Sequence, residues 1–423
     1  MDDRLRMGLV ACGIGVLMVA GGCARHAAPP ASQGASAGVD SMEATAVVYP
    51  QAIGSKEGSA PALTFKEYQV PAMGELEGYG ERFAAIKYNM RAAGEPTTIS
   101  LLDFTTGTSK QAVSGAVNFK NGYNIVGVSG ADRWVAWEEL NGGEGVAASN
   151  DAPGWKLYAA SINADSMTCG TPVLVAEAAL TSLSRPLFRV EGDTLYWLTN
   201  SAADKETARS ASGAAVKARD LAKGDERTVC ETKRHYATMS VENGSVIVTE
   251  EGDESKEAIV RVFDAASGAE TWSLSLKNTD YISHFPQVHD GSLVWTVFGE
   301  GGLSYPDLFY RGTDGVTLRV RNTASDPIPV GKYVFYDAVT VSGSGVSQKI
   351  EGFTIGGYDP ATNETFTVIG GEDAGDDIWD MPMARGYSPD TFVVSTDSRP
   401  STATVAEYAK FPMRIRRYTV PAR

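Results

Sequence analysis

The stretch "VRVFDAASGAETWSL", residues 260–274, consists of two apolar-rich runs on either side of a polar turn at Ser267-Gly268. Valine, threonine and aromatic residues suit a pleated surface, and glycine supplies the positive φ of a tight bend, so the stretch reads as a β-hairpin. Looser copies stand at "ISLLDFTTGTSKQAV" (99–113), "VKARDLAKGDERTVC" (216–230), "LFYRGTDGVTLRV" (308–320) and "GGYDPATNETFTV" (356–368). Each has an apolar-alternating run, an Asp-led turn with Gly or Asn at its bend, and a second β-rich run. A sixth and looser copy is "LYAASINADSMTCGTPVLV" (157–175).

Between these hairpins lies a second repeated pair, whose turn and following strand read "YGERFAAIKY", "GADRWVAWEE", "EGDTLYWLTN", "ENGSVIVTEE", "HDGSLVWTVF", "VGKYVFYDAV" and "SPDTFVVSTD". The first large apolar residues are Phe83, Trp134, Leu195, Val246, Leu293, Tyr333 and Phe392, spaced by 51, 61, 51, 47, 40 and 59 residues. Seven units of about 40–60 residues, each with four short strands, predict an all-β fold, a single β-propeller of seven four-stranded blades. Six or eight blades and a two-sheet sandwich are the structural alternatives. One unit cannot cover both faces of its own sheet, so neighbours stack around an axis. The last unit lacks an outer strand, whereas "LTFKEYQV" (63–70) is a spare strand ahead of the first unit. Pairing 63–70 with 414–420 closes the ring and removes both exposed edges.

On these residues the chain resembles seven-bladed propellers of the quinoprotein-like and TolB-like kind over residues 62–423. "FDAASGAETWSL" looks like one quinoprotein-type repeat with its Asp, Gly and docking Trp272, and the other blades lack that Trp.

The chain opens "MDDRLRMGLVACGIGVLMVAGGCARHAAPP". Arg4 and Arg6 precede an apolar run from Gly8 to Ala20, and Gly21 and Gly22 lead into Cys23. This is the layout of a secretory signal, with a middle shorter than the roughly 20 residues of a bilayer span. "VAGG" before Cys resembles a bacterial lipobox, with Ala20 in place of the usual leucine; it implies lipidation of Cys23 and anchoring to the extracytoplasmic face of a bacterial cell membrane. The expected organisation is therefore a lipoprotein signal peptide at 1–22, a flexible Ala/Ser/Gly/Pro-rich tether at 23–61 and the propeller at 62–423.

The signal's charges cancel, so the exported part carries the whole formal net charge of −15. An acidic exterior argues against nucleic acid and anionic lipid, leaving the lipid anchor as the membrane contact. Cys12 and Cys23 belong to the signal and lipobox, leaving Cys169 and Cys230 either to pair or to stay separate thiols.

In a propeller, the turns between strands one and two and between strands three and four share one face. Here these are short. The opposite face carries the long segments 139–154, 200–215, 341–349 and 397–412, and long loops at one end of a rigid scaffold are where binding usually resides. Asn124, Arg185, His235, His284 and Asp380 stand on this side just ahead of the innermost strands, with Tyr236, Phe285 and Trp379 beside three of them as stacking surfaces. These eight residues are the candidate ligand-binding set at the channel mouth. His235 and His284 lack an evident third ligand, and the acidic run 370–380 lacks the spacing of a calcium loop, so no metal or cofactor is expected. No G-x-S-x-G elbow and no phosphate-cradling loop is present, so no catalytic residue is assigned. The expectation is a non-catalytic binding or scaffolding module for an envelope protein or a small ligand. Its rival is an extracytoplasmic glycan-active hydrolase or lyase with its site at the channel mouth.

Overall fold

Asp264 ties the turn of the opening hairpin with its own side chain. In the computed structural model, Asp264 Oδ1 accepts the Ser267 N–H (2.7 Å) and hydroxyl (2.6 Å), and Gly268 follows at φ 72°. A β-carbon at 268 would also press into Val229 O, so the position needs glycine twice over. The same device recurs in the other four copies. Asp103, Asp220, Asp314 and Asp359 each accept a backbone N–H two residues on, and Gly107, Gly224, Gly315 and Asn363 take the positive-φ bend. An aspartate-closed turn ending in a left-handed residue sets hairpin register locally, which is why the motif repeats.

The structure describes residues 53–89, 94–142, 153–180, 185–200, 214–232, 237–251, 257–277, 282–289, 291–297, 307–320, 327–342, 349–369, 385–386, 390–397, 407 and 410–421. Among them seven sheets form the blades of an all-β propeller. The innermost strands of blades 1 to 6 are Gly74–Tyr79, Tyr123–Ser129, Leu187–Glu191, Ala237–Glu242, Ile282–His289 and Ile328–Val330. Each pairs antiparallel with a second strand that begins at, or one residue before, its reference apolar position. The Asp-led hairpins supply strands three and four of blades 1, 3, 4, 5 and 6. In blade 2 the outer position is divided between Thr168–Cys169 and Val173–Leu180.

Blade 7 closes the ring. Thr64–Val70 pairs antiparallel with Met413–Thr419 over seven positions, from Thr64↔Thr419 to Val70↔Met413, and Thr391–Asp397 lies on the other side. Of residues 381–389, only Arg385–Gly386 is described. That pair runs parallel to Gly78-Tyr79 of blade 1.

The core lies between blades rather than within them. Separate apolar clusters join blades 1 and 2, 2 and 3, 3 and 4, 4 and 5, and 7 and 1, and one larger cluster joins 5, 6 and 7. Trp272 packs against the cluster between blades 4 and 5, so it docks its blade on the next. Cys169 and Cys230 are free thiols, and burial pushes them up to about 11 and about 12 respectively.

The tether ends earlier than the sequence suggests. Ile53–Gly54 adds a parallel strand to the outer edge of blade 5 (Ile53↔Leu318), and Lys56–Glu57 does the same on blade 6 (Lys56↔Glu364). Asn363 Nδ2 and Thr365 Oγ1 donate to Gly54 O and Lys56 O. The composition of 50–61 carries no strand pattern, because the edges it covers supply the pairing partners.

Candidate functional site

Charged side chains from three blades gather at the inner strands. Glu75 and Lys87 are direct cross-strand partners in blade 1, and the register slips by one residue at Glu77. Such a bulge re-aims a side chain. Glu75 and Glu77 both come within 2.8 Å of Lys87 Nζ, which also donates to Val126 O (3.2 Å). A second bulge, at Val126, belongs to the inner strand of blade 2. Lys87 thus joins two blades through all three donors of an ammonium group.

The neighbouring pair comes from the second strand of blade 2, where Glu138 and Glu139 end an apolar run and point to opposite faces. Glu139 is a fastener: its carboxylate accepts the N–H groups of Val117 (2.5 Å) and Asn118 (3.1 Å), the Asn118 amide and the Trp137 indole. Glu138 faces Arg185, which approaches from the blade 2–blade 3 connection with Nε at 3.0 Å from both oxygens and Nη2 at 2.7 Å. The carboxylate is buried while Arg185 remains 39% exposed, so the pair opens to solvent on the arginine side.

Loss of water dominates the electrostatics. Burial raises the Glu77 carboxyl above its ordinary value, and Lys87 and the Val128 N–H oppose this without cancelling it. Burial raises Glu138 as well, against the opposing charge of Arg185. Two carboxyl groups are thereby shifted toward neutral pH beside fixed cations, a combination found where ligands are bound or protons moved. Deeper in, burial brings the Arg189 guanidinium down to about 10, and Tyr79 at the turn end donates to Thr391 O (3.0 Å).

Of the eight residues expected at the mouth, Arg185 takes part in this cluster. Asn124 is buried and fastens blade 2 to blade 1, its Oδ1 accepting the N–H groups of Thr97 (2.9 Å) and Ile125 (3.1 Å). His284 and Phe285 lie in the inner strand of blade 5, with His284 opposite Thr296 and Phe285 inside a register slip. His235, Tyr236, Trp379 and Asp380 lie outside the described residues, as do most of the long segments at 139–154, 200–215, 341–349 and 397–412. Glu75, Glu77, Lys87 and Glu138 were missed by the sequence reading. Their signal was a lysine near the end of the apolar strand "FAAIKY" and two glutamates after "WVAW".

A separate concavity of about 920 Å³ lies at the closure seam on the short-turn face, among Phe65, Tyr68, Phe104, Asp132, Asp390 and Arg417. Its polar walls are engaged internally. Arg417 donates to Glu81 O (2.7 Å), Tyr68 to Phe104 O (2.7 Å), and Asp132 accepts three backbone N–H groups. Among the described residues no cluster of three or more His, Cys, Asp or Glu side chains is arranged to hold a metal ion, and no helix is long and apolar enough to cross a membrane.

No protein-family model and no curated protein matches the chain. Among solved structures it is similar to an acylaminoacyl peptidase of Pyrococcus horikoshii (10% identity, TM-score 0.49, covering 78% of this chain and 50% of that one). It is similar also to an oligogalacturonate lyase in complex with manganese (10%, 0.45, 87% and 98%). A third is the β-propeller domain of the Trilobed protease from Pyrococcus furiosus (10%, 0.40, 66% and 78%). The chain spans half the length of the peptidase it matches.

Proposed function

We propose that the protein is an exported, lipid-anchored binding module that takes a small ligand or an envelope partner at the loop-rich mouth of its channel. One observation carries this reading. Glu75, Glu77 and Lys87 of blade 1, Glu138 of blade 2 and Arg185 meet at one end of a rigid ring. Polar groups of both signs converging from separate elements on a concave mouth form the usual geometry of a ligand site. The signal and lipobox at 1–23 support the address, with Cys23 as the lipidated residue, and the acidic exterior disfavours nucleic acid as partner.

The test is to purify the full-length protein from membranes and identify the small molecules and proteins it carries by mass spectrometry. Loss of a carried species from Arg185→Ala supports the reading, whereas identical cargo on wild type and variant removes the channel mouth as the site. For the anchor, Cys23→Ala should shed into the soluble fraction or keep its signal; a cleaved, membrane-bound variant refutes lipidation.

The second reading, a glycan-active hydrolase or lyase, is favoured by the raised carboxyls of Glu77 and Glu138. A carboxyl group that holds its proton more tightly than usual is suited to act as a general acid. Turnover of a glycan panel that vanishes in Glu138→Gln, with the fold retained, would replace the binding reading with this one.

A further inference from the structure

The charges along the inner strands of blades 1 to 3 are matched, with one exception. Lys87 meets Glu75, Glu77 and Val126 O, and Arg185 grips Glu138. Glu191 accepts the backbone N–H groups of Gly244 and Asn243. Arg189 lies in the same strand as Glu191, yet among the described residues it has no hydrogen-bond or ion-pair partner.

Its neighbours fix where it points. Phe188 and Val190 pack toward blade 2, where a β-carbon on Gly127 would touch the Phe188 ring at 3.5 Å. Leu187 packs into the cluster between blades 3 and 4. Arg189 shares the strand face of Leu187 and is partly exposed, and Glu77 and Tyr79 of blade 1 act on its charge. Blade 2 separates blades 1 and 3 around the ring, so a side chain of blade 3 reaches blade 1 only across the channel.

We propose that Arg189 anchors a ligand inside the channel and that the ligand presents a single carboxylate to it. This rests on the reading of the channel as a binding site and names the ligand's chemistry. A guanidinium withdrawn from bulk water with no hydrogen-bond or ion-pair partner is costly, and the cost is recovered when an anion arrives. The planar fork of arginine matches the two oxygens of a carboxylate. Charge counting selects a monoanion. Lys87, Arg185 and Arg189 stand against Glu75, Glu77, Glu138 and Glu191, so the set already carries one excess negative charge with all seven ionised. One incoming carboxylate is offset by one proton taken up on Glu77. A dianionic phosphate would need two protons and would lie among four carboxyl groups.

The experiment is ligand-observed NMR on the full-length protein at constant ionic strength, with acetate and inorganic phosphate as probes. Acetate should show saturable transfer from wild-type protein, weakened about tenfold or more in Arg189→Gln and less in Arg189→Lys, which keeps the charge and loses the fork. Arg133→Gln, on the opposite short-turn face, should bind acetate as wild type does. Equal acetate binding by wild type and Arg189→Gln overturns the proposal, as does phosphate binding tighter than acetate. Should Arg189→Gln fail to fold, Arg189→Lys decides alone, and undiminished affinity there removes the bidentate carboxylate. A neutral molecule held in the channel equally by wild type and Arg189→Gln would keep the binding reading and overturn this one. A channel that holds no small molecule would overturn this proposal and leave the binding reading only in its envelope-partner form.

Discussion

Arg416 donates through Nε to Glu67 at 2.8 Å, across 349 positions of sequence. The two are direct register partners in the closing blade, and the Arg416 guanidinium also lies 5.0 Å from the centre of the Phe65 ring. The pair marks where the two ends of the domain become one sheet.

Deleting residues 62–70 removes the whole of that strand and exposes the edge of Met413–Thr419. It also uncovers the stack in which Phe392 lies 4.0 Å from Phe335 and 4.9 Å from Tyr418. The expected outcome is a fall in melting temperature of roughly 10 °C or more, or no folded protein. Deleting 24–45, read from its composition as tether, should leave the melt unchanged. Equal melts for the two deletions would show that the closure contributes nothing.

The rim strand makes a different prediction. Residues 53–58 cover the outer edges of blades 5 and 6 without entering the core, so deleting them should lower stability only modestly. The uncovered edges then become templates for pairing with another chain. Light scattering after gel filtration should show concentration-dependent self-association that the full chain lacks; a monomer at all concentrations would refute the edge-guarding role.

Asp132 is a latch between blades. From the first turn of blade 2 it accepts the N–H groups of Glu81 (2.5 Å), Arg82 (3.0 Å) and Phe83 (3.1 Å) in the first turn of blade 1. Asp193 repeats the grip one blade on, taking the Trp134 indole N–H at 2.9 Å. Asp132→Ala should cost about 1–3 kcal/mol in urea unfolding, because three donors lose their acceptor. Asp132→Asn keeps one oxygen and should cost less. A loss no larger for alanine than for asparagine would count against the latch.

The blades were legible because their determinants are local. An aspartate, a positive-φ bend and an apolar alternation fit within 15 residues, and each repeat restates them. Arg185 was legible because the offset from Leu195 locates the start of an inner strand. Glu77 and Glu138 were not, because alternation assigns every second polar residue to a solvated face. A bulge at Glu77 and the approach of Arg185 from the next connection turn these residues into inner-wall groups instead. Residues 53–58 escaped for a related reason: their pairing is dictated by edges some 265 and 308 positions away, from Ile53↔Leu318 and Lys56↔Glu364.

Those same carboxyls set a pH dependence whose sign can be worked out. Glu77 faces Lys87 from the second strand of blade 1, Glu75 from its own strand and the Val128 N–H from blade 2, and it acts in turn on Arg189 of blade 3. Glu138 faces Arg185 and Lys87. Both titrate above the unfolded value of 4.5 because burial outweighs these cations, and Glu191 is raised by burial too. Between 4.5 and the raised values the folded chain therefore holds more protons than the unfolded one, and stability falls as pH rises through that window. Asp103, Asp220 and Asp264 titrate below 3.8 and act the other way, withdrawing stability only in stronger acid. Acidifying from pH 7 toward pH 5 should accordingly raise the melting temperature of the wild type. In a Glu77→Gln, Glu138→Gln double variant the rise should flatten to what Glu191 leaves, even though loss of partners for Lys87 and Arg185 lowers stability at every pH. Parallel melting curves of the two proteins across pH 5–7 would show that neither carboxyl is raised, and would remove the electrostatic basis for a general acid in this channel.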